Sequence, residues 1–299
     1  ITFADGDADD LVTVGAGFTN NLTVNLDADT DGNAISASAY TKSLTITADD
    51  IDIDAHGAGK ATITGGTGSD TLQITADAAT DAIEAQDIAG ITKIETFQFL
   101  EATGTTATAD LTISDNNAGY THASSYDTLT IDSSALSGVS TIDLSAEVDS
   151  KVVLTTGSAA DNITMTNSVN FGDSISSGAG NDIITVATGH LTSIDTIDGG
   201  AGTDVLKNSN ALTAIDSAFT NVSNIETITA VADKQLTLTL GAEAAAAGIT
   251  AINLLDDANG VDFITLEAGF TNDITIDFDD DNSVDNKVVA TSYTKVLTV

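Results

Sequence analysis

Apolar and polar residues alternate in short runs along most of this chain. Leu22-Thr23-Val24-Asn25-Leu26, Leu44-Thr45-Ile46, Leu72-Gln73-Ile74, Leu129-Thr130-Ile131, Ile142-Asp143-Leu144 and Leu236-Thr237-Leu238-Thr239-Leu240 all keep a period of two. That period turns one face of a strand into a core and leaves the Thr/Asp face wet. Between Leu129 and Leu206 such runs recur every nine to thirteen residues. Helical patterning is scarce. Ala242 to Ala247, closed by Gly248, is the best helix candidate, and Ala82 to Ile88 and Asp216 to Phe219 are each expected to add a single turn.

A ten-residue frame joins many of these runs in pairs: an apolar residue, a turn with two small residues and an Asp, then a second apolar residue. It occurs as Phe3-Gly6-Ala8-Asp10-Val12, Ile63-Gly66-Gly68-Asp70-Leu72, Leu154-Gly157-Ala159-Asp161-Ile163, Ile175-Gly178-Gly180-Asp182-Ile184, Ile197-Gly200-Gly202-Asp204-Leu206 and Leu255-Ala258-Gly260-Asp262-Ile264. The frame predicts strand, tight turn, strand. Asp161 and Asp182 are 182 − 161 = 21 residues apart, and Asp182 and Asp204 are 204 − 182 = 22 apart. The flanking apolar positions keep the same step. A coil of about 21–22 residues per rung would stack these turns, which belongs to the short-period solenoids. The expected fold is therefore all-β, a parallel β-helix or β-roll-like solenoid. Stretches without the frame leave β-sandwich-like portions open.

Glycine lets a turn enter positive φ and expose its carbonyls. The Asp adds a hard anionic oxygen, and carbonyls with carboxylates are what Ca2+ prefers. The expected calcium ligands are Asp182 and Asp204 with carbonyls of Gly178, Gly180, Gly200 and Gly202. Asp161 and Asp70 follow, the latter with Gly66 and Gly68, and then Asp10 and Asp262, whose glycines are partly replaced. The competing reading is an Asp/Gly turn whose side chain caps backbone amides. Asp27-Ala28-Asp29-Thr30-Asp31-Gly32 opens like an EF-hand loop but has Ser38 at the twelfth position, so a solvated acidic hairpin is expected there.

Gly65 to Gln73 and Gly199 to Lys207 match the nonapeptide G-G-x-G-x-D-x-U-x, and Ser177 to Thr185 matches it apart from Ser at the first position. In these residues the chain resembles the RTX calcium-binding repeat proteins, although family repeats usually run in tandem every nine residues and these are spaced by longer arms. The resemblance implies a secreted calcium-binding protein exported by a type I route. Sparse turns of this kind among Thr/Ala-rich strands, with phrases such as Asn224-Ile225-Glu226-Thr227, look like segments of bacterial S-layer proteins and giant surface adhesins.

Charge narrows the partners. Eight Lys, no Arg and 45 acidic residues leave a net charge of −37. Such a chain repels phosphate backbones, which excludes nucleic acid as a partner. Its self-repulsion calls for counter-ions. Aromatics are only 4 %, and Trp, Pro and Cys are absent. Small β-branched residues suit narrow stacked cores, the lack of Pro suits long ladders, and the lack of Cys removes disulfides and thiolate chemistry. No apolar run is long enough for a membrane span. Phe171 to Ser176 resembles the nucleophile block of GDSL-type esterases, but His56, His122 and His190 supply no D-x-x-H partner. No enzyme activity is expected.

The ends of the chain repeat each other. Ala16-Gly17-Phe18-Thr19-Asn20 recurs as Ala268-Gly269-Phe270-Thr271-Asn272, an offset of 270 − 18 = 252, and Tyr40-Thr41-Lys42 recurs as Tyr293-Thr294-Lys295. Inside this unit, Gly66 to Asp70 with Ile94-Glu95-Thr96 echoes Gly200 to Asp204 with Ile225-Glu226-Thr227. The expected organisation is the start of a repeat unit at 1–46, half-units at 47–146 and 147–252, and the start of the next unit at 253–299. The expected function is a calcium-stabilised structural segment of an extracellular cell-surface protein (S-layer, sheath or fibre) that self-associates. The alternatives are an adhesin stalk or a glycan-binding module.

Overall fold

In a computed structural model, residues 1–2, 11–26, 33–49, 53, 61–76, 83–114, 128–148, 150–231, 234–254, 261–278 and 286–299 are described. The chain divides into two compact units, residues 1–158 and 159–299. Both are parallel β-solenoids.

The first unit contains β1 (Leu11–Thr13), β2 (Leu22–Asn25), β3 (Ala34–Ser36), β4 (Leu44–Asp49), β5 (Thr62–Thr64), β6 (Thr71–Ala76), β7 (Ile91–Thr92), β8 (Thr96–Glu101), β9 (Ala109–Ser114), β10 (Thr128–Asp132), β11 (Ser140–Ala146) and β12 (Lys151–Thr155). Its sheets run β1-β3-β5-β7, β2-β4-β6-β8-β10-β12 and β9-β11. Alternate strands of the sequence are neighbours in a sheet, as coiling requires. Val24, Ile46, Leu72, Phe97, Ile131 and Leu154 stand in one register column, each at most 1 % exposed. One residue earlier in five of these strands, Thr23, Thr45, Thr71, Thr96 and Thr130 form the matching outward column.

The second unit contains β13 (Asn162–Thr164), β14 (Ser174–Ser176), β15 (Ile183–Val186), β16 (Thr196–Asp198), β17 (Val205–Asn208), β18 (Leu212–Ala214), β19 (Val222–Ser223), β20 (Thr227–Thr229), β21 (Leu236–Leu240), α1 (Ala242–Ala247), β22 (Ala251–Asn253), β23 (Phe263–Leu266), β24 (Ile274–Asp277), β25 (Lys287–Val289) and β26 (Leu297–Thr298). Its sheets run β13-β15-β17-β20-β22-β24-β26, β14-β16-β19 and β18-β21-β23-β25. Ile163, Ile184, Leu206, Ile228, Ile252 and Ile276 form its inner column, again at most 1 % exposed. Burying each such side chain is worth about 1.5–3 kcal/mol.

Every described strand pairing is parallel, so no described part is an antiparallel sandwich. The 21–22-residue step holds between Ile163, Ile184, Leu206 and Ile228 (21, 22 and 22 residues) but not throughout. Leu72 to Phe97 is 97 − 72 = 25, and Phe97 to Ile131 is 131 − 97 = 34. Register is set by the inward side chains, so extra residues are absorbed between strands without moving the columns.

The helix falls where its Ala run places it. It ends at Gly248, whose φ of 106° continues into a left-handed cap. Asp216 caps its start from an earlier turn, accepting from the amides of Gly241 (2.7 Å), Ala244 (2.9 Å) and Glu243 (3.2 Å). Asp216–Phe219 is a single 3-10 turn as expected. The other expected turn is displaced to Ile88–Gly90, and Ala82 lies outside the described residues.

Candidate functional site

Three of the Gly-x-Gly-x-Asp frames form complete strand-turn-strand corners within one unit. Gly65 to Asp70 joins β5 to β6, Ser177 to Asp182 joins β14 to β15, and Gly199 to Asp204 joins β16 to β17. In the second unit the corners stack directly. Gly180 N donates to Ala201 O (2.8 Å) and Ala201 N to Gly178 O (2.9 Å), so the turns extend the sheet pairing around the bend. The expected calcium carbonyl of Gly178 is thus already a hydrogen-bond acceptor.

This close stacking is why the glycines are there. Gly200 has φ 82°, and a Cβ on it would lie 1.9 Å from Gly178 O; Gly202 has φ 145°, and its Cβ would lie 1.5 Å from Gly180 O. No L side chain fits either place. Gly178 and Gly180 also have positive φ. Gly66 and Gly68 do not, but a Cβ on them would meet Tyr40 O at 2.3 Å and Lys42 O at 2.4 Å.

The Asp side chains point into the coil, not out to solvent. Asp70, Asp161, Asp182, Asp204 and Asp262 are each at most 1 % exposed. They share the inward phase of the strand that follows them. Their first task is hydrogen bonding. Asp182 Oδ1 accepts from Asp161 N (2.7 Å), Asp204 Oδ1 from Asp182 N (2.8 Å), and Glu226 Oε2 from Asp204 N (2.8 Å). Each rung's carboxylate therefore holds the corner amide of the rung before it, and the result is one column of four acidic side chains. Neighbouring strands are about 4.8 Å apart, which sets the column's repeat.

Among the described residues of the first unit, Asp70 repeats the device. Asp70 Oδ1 accepts from Leu44 N (2.9 Å) and its Oδ2 from Gly66 N (2.5 Å), while Asp70 N donates to Glu95 Oε2 (2.6 Å). Asp262 Oδ1 takes Leu236 N (2.6 Å), and Asp262 N donates to Asn286 Oδ1 (2.7 Å). The amide-capping alternative thus describes the observed contacts of Asp70, Asp182, Asp204 and Asp262. Asp10 lies outside the described residues, as do the acidic loop at 27–32, His56 and His122.

Glu95 and Glu226 were not among the expected site residues, yet they close the two columns. Their signal was in the repeated Ile-Glu-Thr phrase. Each Glu follows a residue in left-handed conformation, Lys93 (φ 57°) and Asn224 (φ 54°), and the amides after it return to the Asp: Glu95 and Thr96 N to Asp70 O, Glu226 and Thr227 N to Asp204 O.

The two columns differ in one respect that matters for a cation. Both oxygens of Asp70 have amide donors. Oδ2 of Asp182 and Oδ2 of Asp204 are buried and lack a hydrogen-bond partner. At Asp204 the Gly200 amide, which corresponds to the Gly66 amide beside Asp70, donates instead to Asp198 Oδ1 (3.0 Å). Ser177 favours the Asp182 anion, but its hydroxyl donates to Gly199 O (2.9 Å). Burial pushes the carboxyls of Asp70 and Asp182 above the usual carboxylate range. Asp204 is raised to about 6, by burial first, then by the charges of Asp182, Glu226 and Asp198 against the opposing amide bond. The donor chemistry for calcium is present at Asp182 and Asp204 and used up at Asp70. Among the described residues, no three acidic or His side chains gather into a ready metal-holding group.

The structure thus defines a parallel β-solenoid with buried carboxylate columns at its glycine corners. Comparison with protein-family models, curated proteins and solved structures finds no match to this chain.

Proposed function

We propose that this chain is a structural solenoid segment of a secreted cell-surface assembly (an S-layer, sheath or extracellular fibre), and that Ca2+ neutralises its Asp182–Asp204 corner. The observation that carries this reading is the pair of orphaned, buried carboxylate oxygens on successive rungs. Two buried carboxylates, each with one unpartnered oxygen, inside a chain of net charge −37 favour a counter-charge, and calcium takes such oxygens with turn carbonyls and water. The residues that would hold it are Asp182 and Asp204, on adjacent rungs, with water completing its shell. The chain's own contribution is to keep the column straight, through the amide bonds that fix each carboxylate. The RTX-like motifs support the same metal, and the resemblance supports a cell-surface setting and self-association.

Thermal unfolding at pH 7.5 tests it. Extracellular calcium modules bind at about 0.1–1 mM, so 10 mM Ca2+ should add about 1.4–2.7 kcal/mol per site over EGTA. Asp204→Asn should abolish that increment, and Asp70→Asn should lower stability in both buffers while leaving the increment intact. Equal melting in calcium and EGTA sinks the calcium assignment.

A further inference from the structure

One outward face of the second unit is almost free of acid. From β13 to β22, every side chain that the sheet turns outward is neutral except Lys207. Ile183 and Val205 are among them, apolar groups on a wet face. The first unit treats its sheet β9-β11 differently and turns Asp110 and Asp143 outward. Helix α1 packs on β19, β21 and the 3-10 turn, so it lies on other sheets. Register places Lys207, Thr229, Asn253 and Asp277 in one outward column. Val205, Thr227, Ala251 and Thr275 form the column beside it.

Two copies of a chain with net charge −37 repel each other. They can touch only where carboxylates are absent or where each meets a cation. The Lys207–Asp277 column satisfies this with a second copy of itself. A two-fold axis along the strands, midway between β20 and β22, reverses the order of the rungs and keeps each column facing its own copy. Lys207 then faces the partner's Asp277, Asp277 faces the partner's Lys207, and Thr229 faces the partner's Asn253. In the neighbouring column Thr227 faces the partner's Ala251. The centre is therefore small, and the two sheets can close to the roughly 10 Å of face-to-face packing. The other acid-free face, β18-β21-β23-β25, has Lys287 over the Phe263 ring (5.1 Å) and no acidic residue on its strands. A two-fold there sets nothing against the lysine.

We infer that the outward face of β17, β20, β22 and β24 is a self-association surface whose occupant is the same face of a second copy of this chain. The contact is isologous, the same patch on both partners, and two Lys207–Asp277 pairs fix its register. The inference names the interface for the self-association proposed above and rests on that reading, but not on calcium. The four shared rungs extend about 14 Å along the coil. That is short for the roughly 800 Å2 per partner of a stable complex, so the association is concentration-dependent.

The test is sedimentation velocity of the full chain over a range of concentrations, in about 0.15 M NaCl, where the Debye length is about 8 Å and long-range repulsion is screened. The natural chain should sediment as monomer and dimer in calcium and in EGTA alike. Lys207→Asp and Asp277→Lys should each raise the dissociation constant roughly tenfold or more, and the double variant should restore it. Asp277→Lys makes the chain less acidic, so plain repulsion predicts the opposite sign. Lys287→Asp changes the net charge as Lys207→Asp does but lies on another sheet, and should leave the dimer as it was. Circular dichroism checks that each variant keeps its β content; where Lys207→Asp does not fold, Asp277→Lys and the double variant decide. A chain monomeric in both buffers overturns the interface and leaves the calcium increment in melting untouched. Asp277→Lys that associates as well as the natural chain, or a double variant that stays monomeric, overturns it too. Dimerisation in calcium alone is a metal-bridged contact and overturns it as well.

Discussion

Asp204 shows how one side chain can serve the fold and strain it at once. Its Oδ1 secures the Asp182 amide, while its Oδ2 is buried without a partner and its carboxyl titrates near 6. An acid whose folded pKa lies above its unfolded 3.8 binds extra proton in the folded state between those values. Without calcium, stability should therefore be highest below about pH 4 with respect to this group, and fall as pH rises through about 6. Asp182, raised in the same direction, adds to the slope. Asp204→Asn should flatten that part of the pH profile, measured by denaturant unfolding in EGTA. The neighbouring glycines make a second prediction. Gly202→Ala forces an L residue to φ 145° against a backbone carbonyl. It should cost about 1–3 kcal/mol from the backbone conformation alone, with more from the clash, read from the shift in denaturant midpoint. These residues were legible in the sequence as a motif. Their orientation was not, because G-x-G-x-D has one spelling whether the carboxylate faces a cation or an amide.

At the scale of elements, two- to seven-residue strands survive because each is a tile in a column. Leu206 is fully buried between Ile184 and Ile228. Leu206→Ala should cost about 2–5 kcal/mol in equilibrium unfolding, since the rungs on either side hold the cavity open. Thr185→Ser, on the outward face of the neighbouring strand, should change stability by less than about 0.5 kcal/mol. The period-two runs identified these strands and their inward faces, as in Leu236–Leu240, which matches β21 at both ends. The unequal rungs could not be read the same way. Between Phe97 and Ile131 the partner strand lies 34 residues on, and no local pattern states how much chain a loop absorbs before the next strand returns to register.

For the whole molecule the governing quantity is charge. Stacking acidic rungs brings like charges closer than the unfolded chain does, and only eight Lys offset them. Raising NaCl from 10 mM to 0.5 M in EGTA should increase the melting temperature, as the Debye length falls from about 30 Å to a few ångströms. A melting point that ignores salt would show that the acidic residues are spaced widely enough not to interact. By itself the sequence determined the strand content, the inward columns, the helix and its stop, and the glycine corners, because each depends on residues a few positions apart. Only the tertiary structure decided which strands became neighbours, that Glu95 and Glu226 close the carboxylate columns, and that Asp70 is saturated while Asp182 and Asp204 each keep an orphaned oxygen. Those outcomes depend on which amide from another rung arrives at each carboxylate, a matter of distance in space that the linear order of residues does not carry.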